Sequence, residues 1–565
     1  MCLLAGIFAA PATAAPQVLM PGVTYDKRLT FTRFGPMRLH VLTAPKPTGP
    51  LYKLQPVLSN GAVIGRERVT TMQRRAEQSA TTAGVNADRF TWADGIPSSG
   101  LIQDGVLKTT PHPKRSMVGV DSAGNLHVDR VTMRATWQGA GPRRPVHLIN
   151  RPPGPNGTTL YTPAYGAATP ATSGVVEAVL SPFPGATPNT DLVGFVTESR
   201  RGGTPIPPGG AVLVAKGSQG QRLAVEAAAG QMVTVRLVLT PDWRGVTEGV
   251  GGGPLIVRGG KAVFNALEDF GRDLNRREPR TAIGQRADGR IVMVVVDGRR
   301  PGYSAGLTNF ELAQTMIRLG AVTASALDSG GSSTMAFESQ LLNRPSDRGG
   351  ERMIADSLLV FYYGVYTPAP ELSFSPNADG AGDRQTLSYK IVRPSSVTAT
   401  LVGPGGAGRT IDEGNRRPGL YKFDWTGKQS GTPEPEGRWR FQVSAVDNQG
   451  QQSTADRSFT LNNTLGFLTV NPLRATVRRK RGGRITLGFQ LTRPARVSIS
   501  ITSKTGQLLR VVRNAQAPAG KVLAIWDGRY PNKRVVFSGT YVVRVTATNA
   551  VGKAELARSL RVRRR

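Results

Sequence analysis

Asp328 is followed directly by Ser329-Gly330-Gly331-Ser332-Ser333-Thr334, which sets one carboxylate beside a run of glycines and hydroxyls. Glycine lets a backbone come close to a ligand, so the N–H groups of Gly330, Gly331, Ser332 and Ser333 can converge on an anion. The neighbouring hydroxyls add short donors. Upstream, Arg280 offers a planar guanidinium able to grip phosphate or carboxylate through two parallel bonds. Singly, each signal has an ordinary counterpart: a Gly/Ser loop after a strand is also a turn, and a loop arginine is also a solvated charge.

These groups need elements to hold them. Ile291 to Val296 is an unbroken, mostly β-branched apolar run, the pattern of a strand covered on both faces. Asp297-Gly298 ends it, and Arg280 falls just ahead of it. Thr308 followed by Glu311 predicts a capping box, in which the Thr hydroxyl accepts from the Glu311 N–H and the Glu side chain reaches back. The helix so opened carries Leu312, Met316 and Leu319 at helical spacing and stops at Gly320. Ala324 to Leu327 reads as a second short strand, whose end delivers Asp328. A β-α-β unit that presents an Asp and a Gly/Ser loop at a strand end is a common way to build a site.

Arg280-Thr281-Ala282-Ile283-Gly284, Asp297-Gly298-Arg299 and Leu327-Asp328-x-Gly330-Gly331-Ser332-Ser333-Thr334 together resemble the catalytic core of the phosphodiester glycosidase family. Gly84-Val85-Asn86-Ala87-Asp88-Arg89-Phe90, the stretch from Ile96 to Val106, and the glycines from Gly249 to Val257 continue the resemblance. It implies hydrolysis of the glycosidic bond of a sugar-1-phosphodiester. The residues carried over are Asp328 as nucleophile, base or electrostatic stabiliser, Arg280 with the Gly330–Ser333 loop on the phosphate, and Asn86 orienting sugar or water. Thr281, Asp297 and Arg299 are substrate-binding candidates, the last two also able to pair with each other. Glu67 is a further carboxylate in a similar segment. The family usually has Gly where this chain has Ser329; at positive φ that serine would cost about 1 kcal/mol of strain. The alternative is a non-catalytic envelope protein that grips phosphodiester-containing glycans.

The rest of the composition narrows the setting. With Gly 67, Pro 41 and 6% aromatics in 565 residues, turn-rich β modules are expected rather than a helical protein. The single cysteine is Cys2; it lies in an expected signal peptide, residues 1–15, with an apolar stretch and the small-x-small Ala12-Thr13-Ala14. The mature chain would be secreted or surface-associated, without a thiol. His40, His112, His127 and His147 show no metal-ligand spacing, and neither metal nor cofactor is expected. The glycines after Gly249 are followed by no Gly-Lys-Ser/Thr, which excludes a Walker loop. No later stretch has the length of a membrane span. The formal charge is +34, and from Pro472 onward there are 22 Lys and Arg against only Asp527 and Glu555. Such a surface binds polyanions, for an exported chain an envelope polymer rather than nucleic acid, or is a solvated basic face.

A multidomain chain is expected. An α+β catalytic domain with a mixed β-sheet spans residues 17–366. Two immunoglobulin-like sandwiches follow at 371–462 and 466–563, the second strongly basic. Their evidence is an internal repeat near 100 residues: Arg393-Pro394 realigns with Arg493-Pro494, Trp425-Thr-Gly with Trp526-Asp-Gly, and Gly437-Arg-Trp439 with Gly539-Thr-Tyr541. They resemble the flagellar-hook-cap type of Ig-like module. Asp379 and Asp383 open the first copy; they could bind calcium, but the visible ligands are too few to take the reading beyond a turn.

Overall fold

The apolar run Ile291–Val296 is a strand with all six residues buried. The computed structural model describes residues 15–264, 268 and 275–565; the expected signal peptide, apart from Ala15, lies outside the described residues together with Cys2. The chain divides into two compact units, residues 1–363 and 364–565, and is mostly β, with several sheets and few helices.

In the first unit, Ile291–Val296 lies inside an eight-stranded sheet. Its order is Gln17–Met20, Val23–Thr32, Gly35–Ala44, Ile291–Val296, Arg280–Arg286, Ala321–Ala326, Leu255–Arg258 and Lys261–Ala262. Each neighbouring pair runs antiparallel, so the expected mixed sheet is not what holds the loop. Arg280 does not stand on a loop ahead of that strand; it opens a strand of its own, which inserts between the two arms of the β-α-β unit. The connecting helix, Asn309–Arg318, carries the capping box. It lays Leu312, Ala313 and Met316 against Val292, Val294, Ala282 and Ala324, and the chain turns out of it at Gly320, φ +87°.

A five-stranded sheet of Gln340–Leu341, Met335–Phe337, Thr81–Asn86, Asp356–Tyr362 and Tyr52–Leu58 supplies the other half of the site. Residues 132–240 build a further eight-stranded sheet around Trp137, Leu213 and Val235; its one parallel pair is the short edge of Leu148–Ile149 on Thr158–Tyr161.

The second unit holds two sandwiches whose sheets close on separate cores, one around Tyr389, Trp425 and Phe441, the other around Phe489, Trp526 and Val543. The repeat is visible in detail. Trp439 Nε1 donates to the Pro435 carbonyl at 3.0 Å, and Tyr541 at the equivalent place donates to the Phe537 carbonyl at 2.7 Å. Asp379 and Asp383 close a turn: Asp383 accepts from Ala378 and Gly380, and Asp379 accepts from Phe467 N–H at the start of the second sandwich.

Replacing Thr308 by Ala removes the hydroxyl that accepts from Glu311 N–H at 3.2 Å. The first unit should lose about 1 kcal/mol of stability, read as a lower urea midpoint of its transition. An unchanged midpoint would mean that the Glu311 pairing with Arg277 holds the helix start alone.

Candidate active site

Asp328 is fixed first by its backbone. Its N–H donates to the Ala87 carbonyl at 2.9 Å, and its carbonyl accepts from Asn86 Nδ2 at 2.9 Å. The carboxylate then accepts the Ser329 N–H at 2.9 Å and the Ser332 hydroxyl, with Arg89 Nε 4.0 Å away. The side chain stays 15% exposed, so solvent and ligand can reach it. Burial pushes its carboxyl above the ordinary aspartate value, against the opposing pull of Ser332, Arg89, the Ser329 N–H and Arg352.

Four N–H groups of the loop after it are already engaged. Those of Ser329, Gly330, Ser333 and Thr334 go to the Asp328 carboxylate, the Pro279 carbonyl, the Gly330 carbonyl and Asn86 Oδ1. Of the expected phosphate contacts, the Gly330 and Ser333 N–H groups are turned to backbone carbonyls and the Ser332 hydroxyl meets the Asp328 carboxylate; all four residues from Gly330 to Ser333 are buried. The strain expected at Ser329 is absent, because that residue is extended, φ −121° and ψ −177°. Gly330 takes the left-handed turn, φ +70°. A Cβ there would sit 2.8 Å from Arg299 Nη2, and one on Gly331 would sit 1.9 Å from Arg352 Nη2. The two glycines are where two arginines press onto the loop.

Several other expected contacts lie in the scaffold. Arg280 is buried, and its guanidinium donates to the carbonyls of Leu307 at 3.0 Å and Arg276 at 2.7 Å; it ties loops together instead of facing phosphate. Asn86 is fully buried, its Oδ1 accepting from the Thr281 hydroxyl at 2.8 Å and Thr334 N–H at 3.0 Å, so it orients the loop, not sugar or water. Thr281 is buried with it. Asp297, also buried, pairs with His40 at 3.1 Å and not with Arg299. Burial works against ionising Asp297, but hydrogen bonds from His40 and Asn343 carry its carboxyl below the usual value. Glu67 is buried and bound by Arg75 and Asn60 N–H. Arg299 does reach the site: it pairs with buried Glu278, keeps 44% of its side chain exposed and lies against Gly330.

Residues that the motifs did not single out complete the arrangement. Arg352 donates to Ser332 Oγ at 3.2 Å and holds Asp347 with two bonds, at 2.8 and 3.0 Å. The indole of Trp92 carries the Arg352 guanidinium 5.2 Å and the Arg66 guanidinium 5.5 Å from its ring centre. Behind Asp328 lie two buried carboxylates. Asp88 accepts from the N–H groups of Arg89 and Ser99, and Asp356 accepts from Asp88 N–H at 2.8 Å. Burial pushes Asp88 up to about 6, against the pull of Arg115, and Asp356 well above the ordinary value, there helped by the charges of Asp88 and Asp328. Asp356 Oδ2 is buried without a hydrogen-bond partner. Asp88 and Arg89 stand in the same short segment as Asn86, and that adjacency was the available signal. Among the described residues no group of three or more His, Cys, Asp or Glu is placed to hold a metal ion.

The buried pair sets a pH dependence. A carboxyl with a raised folded pKa is protonated in the folded state over a window where the unfolded chain is ionised. The folded state then binds more protons, and stability falls as pH rises through that window. With Asp88 near 6, urea unfolding of the full chain should show the first unit losing on the order of 2 kcal/mol between pH 4.5 and pH 7.5. Burial is the main cause of the Asp88 shift, so Asp88→Asn, which removes the titrating group, should take most of that slope away. An Asp88→Asn chain with the wild-type slope would show that Asp88 does not take up the proton.

An uncharacterised protein of the SPbeta prophage of Bacillus subtilis (strain 168) is 43% identical over 90 residues, 16% of this chain and 14% of that protein. A hypothetical protein from Synechocystis has a similar structure, with TM-score 0.51 and 25% identity over 60% of this chain and 62% of that one. The zebrafish N-acetylglucosamine-1-phosphodiester alpha-N-acetylglucosaminidase catalytic domain is a weaker likeness, with TM-score 0.33 and 13% identity over 63% of this chain and 86% of that one. The chain thus spans 14% of the curated relative and 62% of the Synechocystis chain. The matched family span includes Arg299, Asp328, Arg352 and Asp356, and leaves out Asn86 to Trp92. Residues 186–361 match the phosphodiester glycosidase family, and residues 475–550 match the FlgD Ig-like domain.

Proposed function

We propose that this chain is an exported hydrolase that cleaves the glycosidic bond of a sugar-1-phosphodiester in envelope or extracellular glycans, an N-acetylglucosamine-1-phosphodiester for example. The observation that carries this reading is the partly exposed Asp328 side chain, with Arg89 beside it, Arg352 behind Ser332 and Arg299 against Gly330. A phosphate is a weakly basic leaving group, so the reaction needs little help from a general acid. It needs anion stabilisation and a group for the anomeric centre or its attacking water. Arg299 and Arg352 fill the first role. Asp328 fills the second, and its upward-shifted carboxyl makes it a better base or nucleophile than a free aspartate.

The non-catalytic alternative drew its support from strain at Ser329, and the extended backbone there removes that support. The basic second sandwich, in this reading, holds the enzyme on a polyanionic envelope polymer. Among the described residues no helix is long and apolar enough to cross a membrane.

The test is hydrolysis of a chromogenic sugar phosphodiester by the full chain. Asp328→Asn should lower kcat by about a hundredfold or more with little change in Tm. Arg299→Lys keeps the charge but loses the fork, and kcat/KM should drop about tenfold. Arg280→Lys should instead lower Tm, because its bonds run to buried carbonyls. Wild-type turnover in Asp328→Asn would remove that residue from the chemistry. A loss of kcat/KM at unchanged Tm in Arg280→Lys would return Arg280 to the phosphate.

A further inference from the structure

Trp92 is 61% exposed, whereas Trp137, Trp243, Trp425, Trp439 and Trp526 are all 7% exposed or less. Its large apolar ring offers a flat π-face to solvent. It is held out on a stiff loop. Thr91 N–H donates to the Ile96 carbonyl at 3.0 Å, Gly95 N–H to the Thr91 carbonyl at 2.8 Å, and Ser98 N–H to the Arg89 carbonyl at 2.7 Å. Phe90 backs the indole, ring centres 5.3 Å apart. Arg66 and Arg352 lie over the ring, and the 61% exposure is what remains with both in place.

Arg352 joins this indole to the reacting carboxylate, since the same guanidinium donates to Ser332 Oγ, whose hydroxyl meets Asp328. The chemistry of the surface is therefore a half-exposed aromatic face with two guanidinium groups close against it. An apolar protein partner would want an apolar rim, and a free anion would not need the indole. A pyranose carrying an anionic phosphate needs both: its C–H face packs on a π-system while its phosphate meets guanidinium. We propose that Trp92 is the stacking platform for the sugar ring of the substrate, with Arg66 and Arg352 receiving the adjoining phosphodiester. This rests on the sugar-phosphodiester reading and names a contact that the family motifs do not include.

Because the other five tryptophans are buried, acrylamide quenching of the intact chain reports mainly on Trp92. The Asp328→Asn chain would be titrated with the methyl phosphodiester of α-N-acetylglucosamine 1-phosphate, and separately with inorganic phosphate. The diester should protect the exposed fluorescence and phosphate should not. In the active chain, Trp92→Ala should raise KM about tenfold or more with kcat within about twofold and Tm unchanged, and Trp92→Phe should recover most of the loss. Hydrolysis of the diester without protection, or an unchanged KM in Trp92→Ala, would overturn the platform while leaving the hydrolase standing. Protection without hydrolysis would keep the platform and remove the hydrolase. A diester that neither protects nor is cleaved would overturn both.

Discussion

The site depends on one buried amide. Asn86 closes the strand Thr81–Asn86 and sits between the two sheets that meet at the loop. Its Nδ2 donates to the carbonyl of Asp328, and its Oδ1 accepts from the Thr281 hydroxyl of one sheet and from Thr334 N–H beyond the loop. Only an amide can donate and accept in this pattern; a carboxylate would oppose the Asp328 carbonyl, and an aliphatic side chain would strand three buried polar groups at about 1–3 kcal/mol each. The direct consequence is positional. Asp328 is held from below by its backbone, so its carboxylate is free to point toward ligand.

Above that amide the loop does two things that glycine alone allows. Gly330 turns left-handed beneath Arg299, and Gly331 leaves room for the Arg352–Asp347 pair. Cations can then approach a carboxylate that sits in a poorly solvated pocket. Two effects oppose each other at Asp328: the arginines and hydrogen bonds favour its charge, and burial disfavours it. Burial wins, since its carboxyl stays above the ordinary value. An arginine-lined pocket is usually taken to create a weak base; here the low dielectric counters that.

Much of the framework was legible in the sequence because it follows from local rules. The strand Ile291–Val296 and the capping box at Thr308 were readable from side-chain pattern and residue chemistry. The sandwich repeat was readable because Trp425 and Trp526 recur at the same place in each core. What could not be read was direction. Arg280, Thr281, Asn86 and Asp297 are polar residues in motifs, and polarity suggests contact with ligand. Each is instead buried with its hydrogen bonds turned inward, a choice made by the antiparallel insertion of Arg280–Arg286 that no local signal announces. Arg66, Trp92 and Arg352 escaped notice for the converse reason. They are far apart in sequence and meet only when the Trp92 loop and the segment before Asp356–Tyr362 are folded together.

The outcome is a division of labour between two layers of polar groups. The inner layer, Asn86, Thr281, Arg280 and Asp297, uses its hydrogen-bonding capacity on backbone and neighbours, and so fixes positions. The outer layer, Asp328, Arg89, Arg299, Arg352 and Trp92, keeps surface open to ligand. A motif match alone cannot distinguish the layers, since both must keep their residue types, one for geometry and the other for chemistry. Exposure separates them. It also explains why the outer layer is rich in arginine: each guanidinium is braced by a carboxylate, a ring or a hydroxyl on one side, as Arg299 is by Glu278 and Arg352 by Asp347 and Trp92. A braced fork loses less freedom on meeting an anion than a lysine would, and that preorganisation is what a site for a phosphodiester requires.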